Sequence, residues 1–363
     1  MNGHLDDDDS AELENKGRPK SAKLETYISN IHYRHSTDIN RQIFSHGTTQ
    51  SPPILRSDRC NRIILFCGSF NPPHIGHQQL LTHTFWNSGA DLNIIAAIIF
   101  PLDDERLEDK FKRKKDTKIF PKAERVRLWN ENNPSHWFWV YDRFLDDWDE
   151  FERLLIEDTL IDGYDVKFTF LCGAEFVDTP ALPERPWDCE EIIVSDVNRS
   201  GNFYGQGFIT PRTIEDYHPW EMIPFLPKPK AGGGVIKLPG VSVLSKSSSS
   251  QSYLKENQPA PSSPSILENQ THQTHQTHQN LEGSQIGGKL FSKDSHRNST
   301  VWECRLKSEP LCSIRFVPGN TSQRGISSTL IREYIKNFSG GELYEKIKDL
   351  ALNPEILVEL LDW

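Results

Sequence analysis

The stretch Ile64–His77, ILFCGSFNPPHIGH, sets apolar residues ahead of Gly68 and then crowds an asparagine, two prolines and two histidines into a short turn. A near-continuous apolar run such as RIILFC (Arg62–Cys67) reads as a strand buried on both faces. The strand ends in Gly68, Ser69 and Phe70, followed by a tight NPPH turn and a helix starting near Gly76. That order aims backbone N–H groups and a helix N-terminus at one point, where phosphate is attracted. Gly68 lets a ligand approach the backbone, and His74 and His77 carry imidazole donors that reach the oxygens of a bound triphosphate. The same histidine spacing also suits a helix cap or a pair of metal ligands; the strand, glycine, turn and helix around it favour phosphate.

Beyond this stretch, short β-branched runs alternate with segments of helical length. NIIAAIIF (Asn93–Phe100), WFWVYD (Trp137–Asp142), VKFTFLCG (Val166–Gly173), EIIVSD (Glu191–Asp196) and SIRFVPG (Ser313–Gly319) read as strands. GHQQLLTHTFWNS, PKAERVRLWNEN with Pro121 at its start, EFERLLIEDTLI, SSTLIREYIKNF, GELYEKIKDL and PEILVELL read as helices. In the second of these, Ala123, Val126 and Trp129 or Leu128 share a predicted face. The charged segment DDERLEDKFKRKKDTK lies between the second strand and that helix. The pattern predicts an α/β fold, a Rossmann-like doubly wound parallel sheet in one catalytic domain.

Residues 1–57 have little periodicity and are expected to form a disordered tail, with one short helix over KLETYISNIHYRH (Lys23–His35). Residues 206–295 are rich in Pro, Gly, Ser, Gln and His and include the triplets THQTHQTHQ (Thr271–Gln279). Such a composition buries too little apolar area to offset chain entropy, so a mostly disordered insertion is expected there. The domain then occupies 58–205 and 296–363, with the fold resuming near Trp302.

The chain has 363 residues, of which 36% are hydrophobic, and a formal net charge of -10. Mean hydropathy is -0.59 and the isoelectric point is near 5.7. The acidic balance argues against a general nucleic-acid binder, because nothing neutralises a long run of phosphates. The six cysteines show no CxxC spacing and read as reduced thiols. With no apolar run near ~18 residues and no signal-like start, a soluble protein of the cytoplasm or nucleus, with no membrane partner, is expected.

GSFNPPHIGH (Gly68–His77) resembles the GxFxPxHxxH signature of the nucleotidyltransferase superfamily, and GISSTLIR (Gly325–Arg332) resembles its second signature, ISSTxIR. Between them, IFPKAERVRLWNENNPSHWFWVYD, LCGAEF, RPWDCEEIIV and VNRSGN are similar to segments of the nicotinamide mononucleotide adenylyltransferases. The resemblance covers residues 60–205 and 300–362. It implies that Gly68, Ser69 and Phe70 line the nucleotide cleft and that His74 and His77 contact the phosphates of ATP. It also implies that Ser327, Ser328 and Thr329 offer hydroxyls and N–H groups to the phosphates, with Arg332 as their fixed charge. Gly173 and Glu175 would approach the nucleotide, Trp187 would stack on the pyridine ring, Phe144 would face the substrate and Arg199 would lie near the nucleotide. Glu175 stands where the family has Asp, Phe144 where it has Trp, and Leu330 where many relatives carry Lys or Glu. The family's loop lysine has no unique counterpart among Lys110, Lys112, Lys114, Lys115 and Lys118.

The implied reaction is in-line attack by a phosphate oxygen of nicotinamide or nicotinate mononucleotide on the α-phosphorus of ATP, expelling pyrophosphate. Mg²⁺ would arrive on the phosphates, with no protein metal cage. Two other readings stay open: the same chemistry with a different nucleotide or acceptor, and a nucleotide-binding protein or slow ATPase whose role is interaction.

Overall fold

Side chains alternate between the two faces of a strand, and a strand apolar on both needs cover on both. The computed structural model describes residues 19–35, 43–44, 52–112, 118–131, 136–177, 187, 189–198, 210–224, 300–319 and 325–362. In chain order these form β1 (Ser21–Lys23), α1 (Leu24–His32), β2 (Ile54–Arg56), β3 (Asn61–Gly68), α2 (Ile75–Asn87), β4 (Ile94–Pro101), α3 (Asp104–Phe111), α4 (Lys122–Asn130), β5 (Phe138–Val140) and α5 (Trp148–Ile161). Then follow β6 (Val166–Gly173), β7 (Glu191–Ser195), β8 (Glu221–Ile223), β9 (Val301–Arg305), β10 (Ser313–Phe316), α6 (Ser328–Asn337), α7 (Gly340–Ile347) and α8 (Pro354–Glu359).

The main sheet has the order β5-β4-β3-β6-β7-β10-β9-β8. Strands β5 to β10 in that order are parallel, while β9 runs antiparallel to both β10 and β8. The chain therefore builds outward from β3 to one side, then crosses back to β6 and builds to the other. The strand order reverses between β3 and β6, and in open parallel sheets that is where the carboxyl ends of the strands open a ligand crevice. The register sets Leu65 beside both Ile98 and Phe170 at the centre.

Alternation along β3 divides the core in two. Ile63 and Leu65 face α1 and α5 through Leu24, Ile28, Trp148, Phe151 and Leu155. Ile64 and Phe66 face α2 and α4 through Leu80, Leu81, Phe85 and Trp129. A third cluster joins α6, α7 and α8 to Phe120 and Leu128. This is the predicted doubly wound α/β arrangement. Helix α4 buries Leu128 and Trp129 of the expected face, with Val126 partly buried against the core, whereas Ala123 is exposed and Arg125 is buried. Part of the charged segment is α3, which buries Leu107 and Phe111.

Two expected boundaries change. Residues 1–57 are not all tail: β1 pairs with β2, and Leu24, Ile28, Ile31, Phe44 and Leu55 belong to the core. The apolar residues of α1 recur at helical spacing, and their face closes the sheet beside α5. Residues 210–224, expected within the insertion, contain β8, which pairs with β9, and Tyr217, which bridges to Leu306. The THQ triplets lie outside the described residues. Among the described residues no helix is long and apolar enough to cross a membrane. All six cysteines are free.

If α1 is part of this core, Ile28→Ala should destabilise the protein by about 2–5 kcal/mol, the usual cost of truncating a fully buried isoleucine, in urea denaturation followed by circular dichroism.

Candidate active site

The chain leaves β3 through a backbone that only glycine at residue 68 accommodates. Phe70 takes a φ of +43°, turns its ring back under the turn and is buried. A Cβ at Gly68 would stand 2.8 Å from two carbons of that ring. Phe70 also meets Phe66, His77 and Trp129 edge-on at 5.2, 4.9 and 5.3 Å. Its side chain is thus the floor beneath the turn rather than an exposed lining group.

The turn itself is held by elements distant in sequence. Asn71, fully buried, donates to the carbonyl of Lys118 at 2.9 Å and accepts from the Phe120 amide at 2.9 Å. Buried Arg125 donates to the carbonyls of Ser69, Phe120 and Leu102 at 3.0, 2.8 and 2.6 Å, and pairs with Asp104 at 2.6 Å. Burial pulls the Arg125 proton affinity below the usual guanidinium range, and Asp104 opposes that shift. Residues 350–352 complete the clamp: His74 bridges to Ala351, the Ile75 amide donates to Leu350 at 2.9 Å, and the Leu352 amide donates to Pro73 at 3.3 Å.

His74 is the N-cap of α2. Its amide donates to Nδ1 of His77 at 3.2 Å, and the two rings stack with centroids 3.6 Å apart. With Nδ1 of His77 accepting, a neutral ring carries its proton on Nε2, as a donor directed away from its own backbone.

Helix α6 reaches the same turn. Ser327 caps it, accepting from the Leu330 amide at 3.2 Å. Ser328 donates its hydroxyl to the Pro72 carbonyl at 2.8 Å. Arg332 donates to the Asn71 carbonyl and, at 3.0 Å, to Oγ1 of Thr329, with its guanidinium 5.1 Å from the centre of the Phe111 ring. Two helix N-termini, two histidines and one guanidinium therefore converge on residues 71–74. Lys110 adds a second positive charge, donating to Oγ of Ser69 at 2.8 Å. Of the other candidate lysines, Lys112 pairs with Asp109 on the surface and Lys118 lies over Phe120, while Lys114 and Lys115 fall outside the described residues.

On the other side of the crevice, Glu175 folds its carboxylate back over Gly173, leaving no room for a Cβ there. Trp187 sits with φ at +49° and packs on Phe100, Phe170 and Trp148 at 5.2, 5.7 and 6.5 Å. A recess beside it is lined by Asp149, Glu152, Arg153, Ile156 and Glu157. Three carboxylates against one guanidinium make that recess a poor place for phosphate. Phe144 follows β5 and is 69% exposed. Arg199 lies outside the described residues. Burial pushes the Cys67 thiol up to about 12, so it remains a neutral thiol at pH 7 and offers no thiolate nucleophile.

Sequence reasoning missed Asn71 and Arg125 as site-building groups. Asn71 stands inside the motif, but a buried arginine spent on carbonyls is indistinguishable in sequence from one on a charged helix face.

Residues 65–196 match the family model described as cytidylyltransferase-like. The matched segment runs from within β3 to the residue after β7. It contains both sides of the crevice and ends well before α6. No curated protein matches the chain. The matched region is similar to cytidylyltransferase-like domains, and the chemistry this supports is nucleotidyl transfer.

Proposed function

We propose that the protein transfers the adenylyl group of ATP to the phosphate of nicotinamide or nicotinate mononucleotide, yielding the dinucleotide and pyrophosphate. The observation that carries the reading is the meeting of the two motifs. Arg332 and Ser328 of the second bind the carbonyls of Asn71 and Pro72 of the first, at the reversal point of the sheet. This juxtaposition supports one site for a phosphate chain, built from both.

The attacking phosphate oxygen is already ionised at neutral pH, so no protein base is needed. Catalysis then consists of alignment and of stabilising charge that develops on the leaving pyrophosphate. His77 supplies an Nε2–H donor, Arg332 a guanidinium held in one plane, and the first turn of α6 its N–H groups. Lys110 lies close enough to share that charge. ATP is taken as its magnesium complex. The reading assigns the ion to phosphate oxygens. The aromatic faces of Trp187 and Phe144, together with the carboxylate of Glu175, support a planar cationic or amide-bearing ring as acceptor.

A second reading rests on the family description: a cytidylyltransferase-like domain is consistent with CTP as donor to another phosphorylated acceptor.

Incubation with magnesium ATP and either mononucleotide should release pyrophosphate and form the dinucleotide, read by chromatography. A well-folded protein that forms neither product overturns the reading, and turnover with CTP alone selects the second. His77→Ala should lower kcat about 10²–10³-fold, the usual cost of removing one donor to developing charge, in a protein that still folds but is somewhat less stable for the lost bond to the His74 amide. Arg332→Lys keeps the charge but loses the planar fork, and should also lose most activity in the same assay.

A further inference from the structure

Phe144 poses a physical problem. A large aromatic side chain 69% exposed gains nothing from burial, yet the loop that carries it is fixed on both sides. After Phe144, the Leu145 amide donates to Oδ2 of Asp103 at 2.9 Å. Asp103 in turn accepts from Nζ of Lys122 at 2.7 Å, and Lys122 also donates to the carbonyl of Arg143. Before Phe144, both neighbours are held by a single residue of α1. His32 makes a 2.7 Å bond from Nε2 to Oδ1 of Asp142, and its carbonyl accepts from Arg143.

His32 itself has little freedom. It is 1% exposed, and its ring meets Tyr33, Trp139, Tyr141 and Phe151 edge-on at 4.5, 4.8, 5.2 and 5.8 Å. An imidazole boxed in by four rings is a rigid post. Asp142, 26% exposed, brings the loop to that post. Strand β5 runs parallel to β4, so residues 141–145 leave the sheet at the same end as Gly68 and Gly173. Tyr141 and Trp148, on either side of the loop, reach Trp187 through ring contacts: Tyr141 lies 5.1 Å from Phe100, which lies 5.2 Å from Trp187, and Trp148 lies 6.5 Å from Trp187. The loop is thus tied to the tryptophan that the proposed reading gives to the acceptor, and nothing in the reaction chemistry uses His32 directly.

We infer that His32 is a positioning residue for the acceptor: through Asp142 and Arg143 it holds residues 142–145 so that Phe144 presents its ring to the acceptor's base. The inference rests on the proposed reading of the site and extends it to a segment of chain outside both motifs. The ATP side is held by Asn71 of the first motif and Arg125 of α4, neither of which bonds to His32 or Asp142, so disturbing His32 should affect one substrate more than the other.

Three variants separate this role from simple packing. His32→Leu keeps an apolar body between the four rings but removes the bond to Asp142; Asp142→Ala removes the other partner at a half-buried position; His32→Gln retains a donor near the Nε2 position. In steady-state assays the first two should raise the acceptor KM about tenfold while the ATP KM stays within about twofold, and His32→Gln should restore much of the loss. Hydrogen exchange of residues 141–145 in the ligand-free protein should speed up in the same two variants. Equal changes in both KM values, or an unchanged acceptor KM with only a lower melting temperature, overturn the positioning role while leaving the function intact. If His32→Leu does not fold, Asp142→Ala carries the comparison. A wild-type protein that forms no dinucleotide overturns the function, and the acceptor role of His32 with it.

Discussion

Two consecutive prolines give the turn after β3 carbonyl acceptors at residues 72 and 73 but no backbone donors. Such a turn cannot satisfy itself, and buried carbonyls left without partners are costly. The donors come from elsewhere: the Ser328 hydroxyl for Pro72, the Arg332 guanidinium for Asn71, and the Leu352 amide for Pro73. The same bonds that satisfy the turn bring the start of α6 and its arginine to the histidines. Local backbone chemistry and assembly of the site are one event, and α6, α7 and α8 are docked by it as well as by their own apolar cluster.

The parts of this architecture legible in sequence are those with a strong local signal. Apolar runs such as Ile63–Phe66, Ala96–Phe100 and Phe168–Cys172 mark the central strands, because a strand buried on both faces has no polar alternation to confuse it. The N-capped start of α6 and the glycine-to-histidine turn announce themselves through residue types tied to one geometry. Helix α1 was half visible: its periodic residues are present, but their polar surroundings hide that the sheet face beside α5 needs them. Strand β8 is only Glu221–Ile223, exposed at its first two residues, and no short polar segment of that kind signals pairing.

Side-chain roles that depend on tertiary partners are harder still. Phe70 reads as a lining residue from its place in the motif, yet a left-handed backbone turns it into the floor. Arg125 carries no mark of its role in the sequence and is completely buried, bonded to three carbonyls that no local pattern connects. His32 sits in a segment of weak periodicity, and the loop it holds is more than a hundred positions away. In each case the deciding contact is long-range, and a single sequence records only its local half.

The antiparallel pairing of β8 with β9 has a consequence for how this chain tolerates change. Ile223 stands opposite Val301, so the chain leaves the sheet and re-enters it at one point on the edge remote from β3. Once those ends are joined, closure entropy grows only with the logarithm of what lies between, about 0.6 kcal/mol for each doubling of length. Chain length there is decoupled from the geometry of the crevice. Lengthening or shortening the chain between those two positions therefore adds little closure cost, at a sheet edge five strands away from β3.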